Sequence, residues 1–163
     1  MGEPKYGEEF ITHEYDEAIA IQQVIVNAEA KLATSHPVAS AKACLAEDRT
    51  FLKQLQTLGK EHDATGKIED VAEGLKSLME ETLETASDDG ADSDYYEAHA
   101  VLLNLKRKQM DSAGGMLQIA RATKDTALRE AATEFERAQK ASCQTLASEL
   151  AGYAAQIATS SAA

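Results

Sequence analysis

Residues 44–62, CLAEDRTFLKQLQTLGKEH, decide how the chain is read. Cys44, Phe51, Leu55 and Leu58 recur at the three- and four-residue steps of one helix face, and Leu45, Leu52 and Leu55 mark an overlapping stripe. Asp48 falls on both stripes. A carboxylate in the strip that a helix buries needs a partner, because an unpaired buried charge is costly. A metal ion would serve, and so would an amide or a cationic side chain. The alternative is that Asp48 turns outward at the edge of the stripe.

The same periodicity extends outward from this stretch. A first helix, from about residue 8 to 33, carries Ile11, Ala18, Ile21, Ile25, Ala28 and Leu32 on one face. TSHP breaks it, with Ser35 placed to cap and Pro37 to fill the first turn of a second helix over about 38–62. Gly66 reads as the stop signal of that helix. A shorter helix over about 67–86 presents Ile68, Val71, Leu75, Leu78 and Leu83. The acidic stretch SDDGADSD interrupts the chain, and Ser93 or Asp94 can cap a fourth helix over about 94–122, carrying Tyr96, Ala100, Leu103, Met110, Ala113 and Leu117. Thr123 or Asp125 can cap the last, over about 125–158, with Leu128, Phe135, Ser142, Leu146, Tyr153 and Ile157.

Four helices of this length span about 40 Å each at ~1.5 Å per residue, and the short one about 30 Å. A connector of that reach permits an all-α, up-down-down-up four-helix bundle with a crossover helix between its second and third members.

Composition agrees with one helical domain. At 163 residues, such a chain buries ~70% of its unfolded surface. Aromatic residues make up 5% and Trp is absent, so the core rests on Leu, Ile, Val and Ala. The net charge of −12 argues against nucleic acid, whose phosphates demand clustered Lys and Arg, and suits a basic protein partner or plain solubility. No apolar run is long enough to span a membrane, and MGEPKYGEEF has neither a signal core nor a myristoylation pattern. Two cysteines, Cys44 and Cys143, are too few for a disulfide framework. A cytoplasmic location is the expectation. Self-association is expected as well, because Ile19, Val24 and Val26 form a second apolar line on the first helix.

SHPVASAKACLAEDRTFLKQLQTLGKEH, residues 35–62, and DYYEAHAVLLNLKRKQM, residues 94–110, resemble the ferritin-like superfamily. The likeness extends from about Glu8 to Ile157 and is greatest to its small, poorly characterised, stress-associated bacterial members. It implies the bundle described above. Di-iron members use a Glu from each of two helices and a Glu-x-x-His from each of the other two. Here the second helix offers Glu47-x-x-Thr50 or Asp48-x-x-Phe51, and the last Glu134-x-x-Arg137 or Glu136-x-x-Gln139. Neither helix supplies the histidine.

Under up-down-down-up order, the depth of Asp48 is shared by Gln22, Gln109 and Gln139 or Ser142, with Arg107 and Lys108 near enough to be partners. This is expected to be a polar layer that fixes helix register, with an altered metal layer for iron, manganese or another divalent ion as the alternative. A weaker metal candidate lies where the first hairpin brings together its ends, at His13, Glu14, Glu17 and His62. HEYDE lacks the second histidine of a zincin helix. No catalytic set appears. The expected function is that of a non-enzymatic structural or interaction protein; the alternatives are a metal-binding or oxidoreductase bundle with an unusual ligand set, and an adaptor meeting a basic partner through its acidic surface.

Overall fold

A computed structural model describes residues 6–34, 38–86 and 90–160. Five helices account for nearly all of them: α1 Tyr6–Leu32, α2 Ser40–Gly59, α3 Asp70–Ala86, α4 Asp92–Thr123 and α5 Thr126–Thr159. The described residues are 89% helical and include no strand. No helix among them is long and apolar enough to cross a membrane. The expected Ser35 cap and Pro37, and Ser87, Asp88 and Asp89 of the acidic stretch, lie outside the described residues.

Side-chain contacts give the directions of packing. α1 and α2 run antiparallel, since Thr12 Oγ1 donates to the His62 carbonyl at 2.8 Å while Gln22 reaches Asp48. α4 and α5 are likewise antiparallel, with the Tyr153 hydroxyl donating to Asp92 Oδ1 at 2.9 Å. α1 opposes α4 through Glu29–Lys106 and Gln22–Gln109. α2 opposes α5 along four successive levels: Ser40–Glu149, Cys44–Ser142, Asp48–Gln139 and Phe51–Phe135. Glu149 also caps α2 from the neighbouring helix, accepting from the Ser40 backbone N–H at 3.1 Å.

Local chemistry moves several expected boundaries. α2 gives way to a 3₁₀ turn at Lys60–His62 and stops at Asp63, whose φ of 57° breaks the helix. Gly66 is therefore not the stop signal. It sits at φ 78° in a loop pressed against α1, where an added Cβ would lie 2.7 Å from Ile19 Cγ2. Asp16 fastens that loop, its Oδ1 accepting from the backbone N–H groups of Thr65, Gly66 and Lys67 at 2.8, 2.9 and 3.3 Å. Those N–H groups are committed to Asp16, and α3 begins only at Asp70. Asp125 caps α5, accepting from the Leu128 N–H at 3.0 Å.

α3 packs on α1 and α4. Ala72, Met79, Leu83 and Ala86 are buried, whereas Ile68, Val71 and Leu78 are exposed. Met79 and Leu83 fill the contact between Ala72 and Ala86, with Leu75 packed against it, while Val71 and Leu78 fall outside. The line Ile19, Val24 and Val26, expected to drive self-association, is instead covered within the chain.

The apolar core is divided. One cluster includes Ile21, Ile25, Leu32, Leu102, Leu146 and Tyr153; the other includes Tyr15, Ile19, Phe51, Leu55, Met116 and Phe135. Gly66 should be irreplaceable in holding the loop against the second. Gly66→Ala is expected to lose ~1–3 kcal/mol in urea unfolding, from the left-handed backbone and the clash with Ile19. A change within experimental error would contradict this close approach.

Candidate functional site

Asp48 is 1% exposed and belongs to neither apolar cluster. Gln22 of α1, Gln109 of α4 and Gln139 of α5 are buried with it, so each of the four long helices contributes one polar side chain. Gln139 Nε2 donates to Asp48 Oδ1 at 2.5 Å. Gln22 Nε2 donates to the same oxygen at 3.3 Å and to the Asp48 carbonyl at 3.0 Å. Gln109 Nε2 completes the chain of bonds, donating to Gln22 Oε1 at 3.1 Å and the Ala18 carbonyl at 3.0 Å.

A charged group adjoins this layer. Lys106 Nζ lies 3.3 Å from Asp48 Oδ2 and 3.0 Å from Glu29 Oε2. Both new residues are buried, Lys106 at 1% exposure and Glu29 at 0%. Lys106 follows Leu102 by four residues and precedes Gln109 by three, which puts it on the inward face of α4. Glu29 follows Ile25 by four on α1 for the same reason.

Three ionisable groups in the centre of a bundle would be ruinous if all were charged and poorly paired. The cluster avoids this by keeping a proton. Burial, together with the hydrogen bond and negative charge of Asp48, pushes the Glu29 carboxyl up to about 9 against the opposing pull of Lys106. Burial alone would lower the Lys106 ammonium, yet Asp48 and Glu29 outweigh it and hold it above the ordinary lysine range. Asp48 accepts from Lys106, Gln22 and Gln139, as a carboxylate does. At neutral pH Glu29 therefore holds its proton beside the Lys106 ammonium. Held protonated, Lys106 has no lone pair for nucleophilic or Schiff-base chemistry.

Two expected members of the layer are corrected. Arg107 points to solvent; the helix turn that buries Lys106 carries its neighbour outward. Ser142 is half-buried and contacts Cys44 at 3.2 Å instead of Asp48. Of the hairpin-end candidates, only His13 and Glu17 are brought together, while Glu14 and His62 stand apart from them. His13 lies 3.6 Å from Glu17 Oε2 and 3.5 Å from Glu69 Oε2, Glu17 pairs with Lys108, and Glu14 is half-buried. The His62 ring stacks on Tyr15, centroids 5.2 Å apart. Among the described residues, no three or more His, Cys, Asp or Glu side chains are grouped to hold a metal ion.

Lys106 and Glu29 were the residues that sequence reading missed. Their signal was present: Leu102, Lys106, Gln109 and Ala113 step by four, three and four, and Gln22, Ile25 and Glu29 by three and four. Apolar residues alone define a stripe too narrowly when it contains charges. The chain matches no family model, no curated protein and no solved structure.

The retained proton makes stability depend on pH. Glu29 has an ordinary value of 4.5 and a folded value of about 9, so between them the native state binds more protons than the unfolded chain. Stability from this group is fully present below the ordinary value and is lost as pH rises through the folded value, by up to ~1.4 kcal/mol per pH unit. Glu29→Gln, neutral at every pH, should remove that slope. Urea melts between pH 5 and 9 should show the variant gaining on wild type as pH rises; parallel curves would contradict a retained proton.

The two ends of the ion pair should respond unequally. Lys106→Met leaves the Asp48 carboxylate without its cation and is expected to cost ~3–5 kcal/mol. Asp48→Asn should cost less, ~1–3 kcal/mol, because removing Asp48 lets Glu29 ionise and take its place opposite Lys106. Equal losses, measured by urea unfolding at pH 7, would contradict this exchange of roles.

Proposed function

We propose that this chain is a non-enzymatic structural or interaction protein built on a ferritin-like scaffold, in which a lysine ammonium stands where a metal-bearing relative would place its cation. The observation that carries this reading is the position of Lys106 Nζ, 3.0 Å from Glu29 and 3.3 Å from Asp48 in the centre of the bundle. The antiparallel pairings of α1 with α2 and α4, and of α5 with α2 and α4, correspond to up-down-down-up order, with α3 as the crossover helix. The donor set fits a metal centre poorly: its one carboxylate is already neutralised by the ammonium, Glu29 carries a proton, and the rest are amides. Amide oxygens bring no charge to a divalent ion. On this reading the centre sets the register of a metal-independent, stress-associated scaffold in the cytoplasm.

Its working surface is then external. Val71 and Leu78 are 63% and 46% exposed on the outer side of α3. Their spacing of seven, two helical turns, puts both on one face of α3, suited to self-association or a partner helix. Acidic residues Asp70, Glu73, Glu80 and Glu81 flank that face, and a basic partner would complement them.

Elemental analysis of protein purified without chelator tests the leading reading. Iron and manganese are each expected well below one per chain, and ferrous oxidation no faster than in buffer. About two metal ions per chain, lost together with stability in Asp48→Asn, would overturn it in favour of a metal-binding oxidoreductase.

A further inference from the structure

Cys44 and Cys143 lie on α2 and α5, the two long helices whose shared seam is the more open one in the bundle. A groove of about 600 Å³ follows that seam, and Ala43, Cys44, Ala138, Ala141, Ser142 and Thr145 are among its walls. The register across it is fixed closely. Asp48 meets Gln139 at 2.5 Å, and the Phe51 and Phe135 rings pack at 4.4 Å between centroids one turn to one side. One turn to the other side, four residues before Asp48 and four after Gln139, come Cys44 and Cys143. The helices are antiparallel, so both steps move the same way along the bundle. The two cysteines therefore share a level and the inward-facing sides of their helices.

Their environments differ. Cys44 is half-buried, lines the groove, and rests its sulfur 3.2 Å from Ser142 Oγ, on the residue next to Cys143. Cys143 is buried, and burial pushes its thiol up, keeping it protonated. The ammonium of Lys106 lies within electrostatic reach of both sulfurs. Beside Cys44 the groove is walled by Ala43, Ala138, Ala141 and Ser142, which leave room for a compact oxidant, with Glu47, Arg137 and Glu149 farther along it.

We propose that Cys44 and Cys143 form a peroxide-responsive dithiol site, in which Cys44 is the attacking sulfur and Cys143 the resolving one. The Cys44 thiolate attacks one oxygen of hydrogen peroxide; the S–O bond forms as the O–O bond breaks, and hydroxide leaves, taking up a proton to become water. Cys44, now a sulfenic acid, turns about χ1 from Ser142 toward Cys143. The Cys143 sulfur attacks it, the S–S bond forms, and the sulfenic hydroxyl leaves as water with the proton of the Cys143 thiol. Two thiols are oxidised by two electrons and one peroxide is reduced to two waters. The product staples α2 to α5 across the seam. This inference is independent of the scaffold reading, since neither sulfur ligates a metal in it.

Treatment of the folded full-length chain with hydrogen peroxide, followed by non-reducing peptide mapping, tests the site. The expected product is a monomer in which the Cys44 peptide is joined to the Cys143 peptide. In Cys143→Ser, a sulfenic acid should persist at Cys44 and be trapped by dimedone. In Cys44→Ser, peroxide consumption should fall at least about tenfold, because the remaining thiol is buried. Disulfides only between chains, first oxidation at Cys143, or a link that forms as fast in urea-unfolded protein as in the native state would each overturn the proposal.

Discussion

The ammonium of Lys106, held between Glu29 and Asp48 with almost no exposure to water, constrains the rest of this bundle. A buried cation has few acceptable surroundings, and here they come from three helices at once. Asp48 can serve as its counter-charge only while α2 stands at one height against α4. Gln139 and Gln22 must also reach Asp48, which ties α5 and α1 to that height. Sliding any one helix by a turn would leave an unpaired charge or amide in an apolar interior. Apolar residues such as leucine and alanine would tolerate the slip much better.

The two apolar clusters on either side of the layer supply the driving force, and the layer supplies the specificity. Helices rich in Ala and Leu pack in many registers of similar quality, so the polar centre selects among them. The external fittings follow the same logic. Glu149 fixes the start of α2 against α5, and Asp16 fixes the loop that covers Ile19. α3 lies on α1 and α4 through Ala72, Met79, Leu83 and Ala86, leaving Val71 and Leu78 outside. Contacts within the chain thus order the interior, and Val71 and Leu78 of α3 lie exposed.

Much of this was legible in the residues. Asp48, standing in two stripes, announced a polar layer, and counting along each helix led to Gln22, Gln109 and Gln139. Lys106 was not found because lysine is ordinarily a surface residue and Arg107 and Lys108 beside it looked equally suitable. Deciding among three consecutive basic residues requires the rotation of α4, which depends on tertiary packing. Glu29 was hidden for a related reason, since acidic residues near the end of a helix are usually solvated. Of the apolar residues expected along α3, Leu83 is buried and Leu75 packs against the core, whereas Val71 and Leu78 face outward, because tertiary packing sets the rotation of that helix. Gly66 marked a real backbone requirement, but the requirement was proximity to Ile19 and not the end of a helix.

Carbon-13 NMR of the Glu29 side-chain carboxyl, assigned by comparison with Glu29→Gln, tests the central arrangement most directly. The account requires the chemical shift of a protonated acid at pH 7, a titration midpoint near 9, and a Lys106 ammonium that stays charged throughout. A Glu29 carboxyl already ionised at pH 6, or a Lys106 amine that loses its proton in the neutral range, would contradict it.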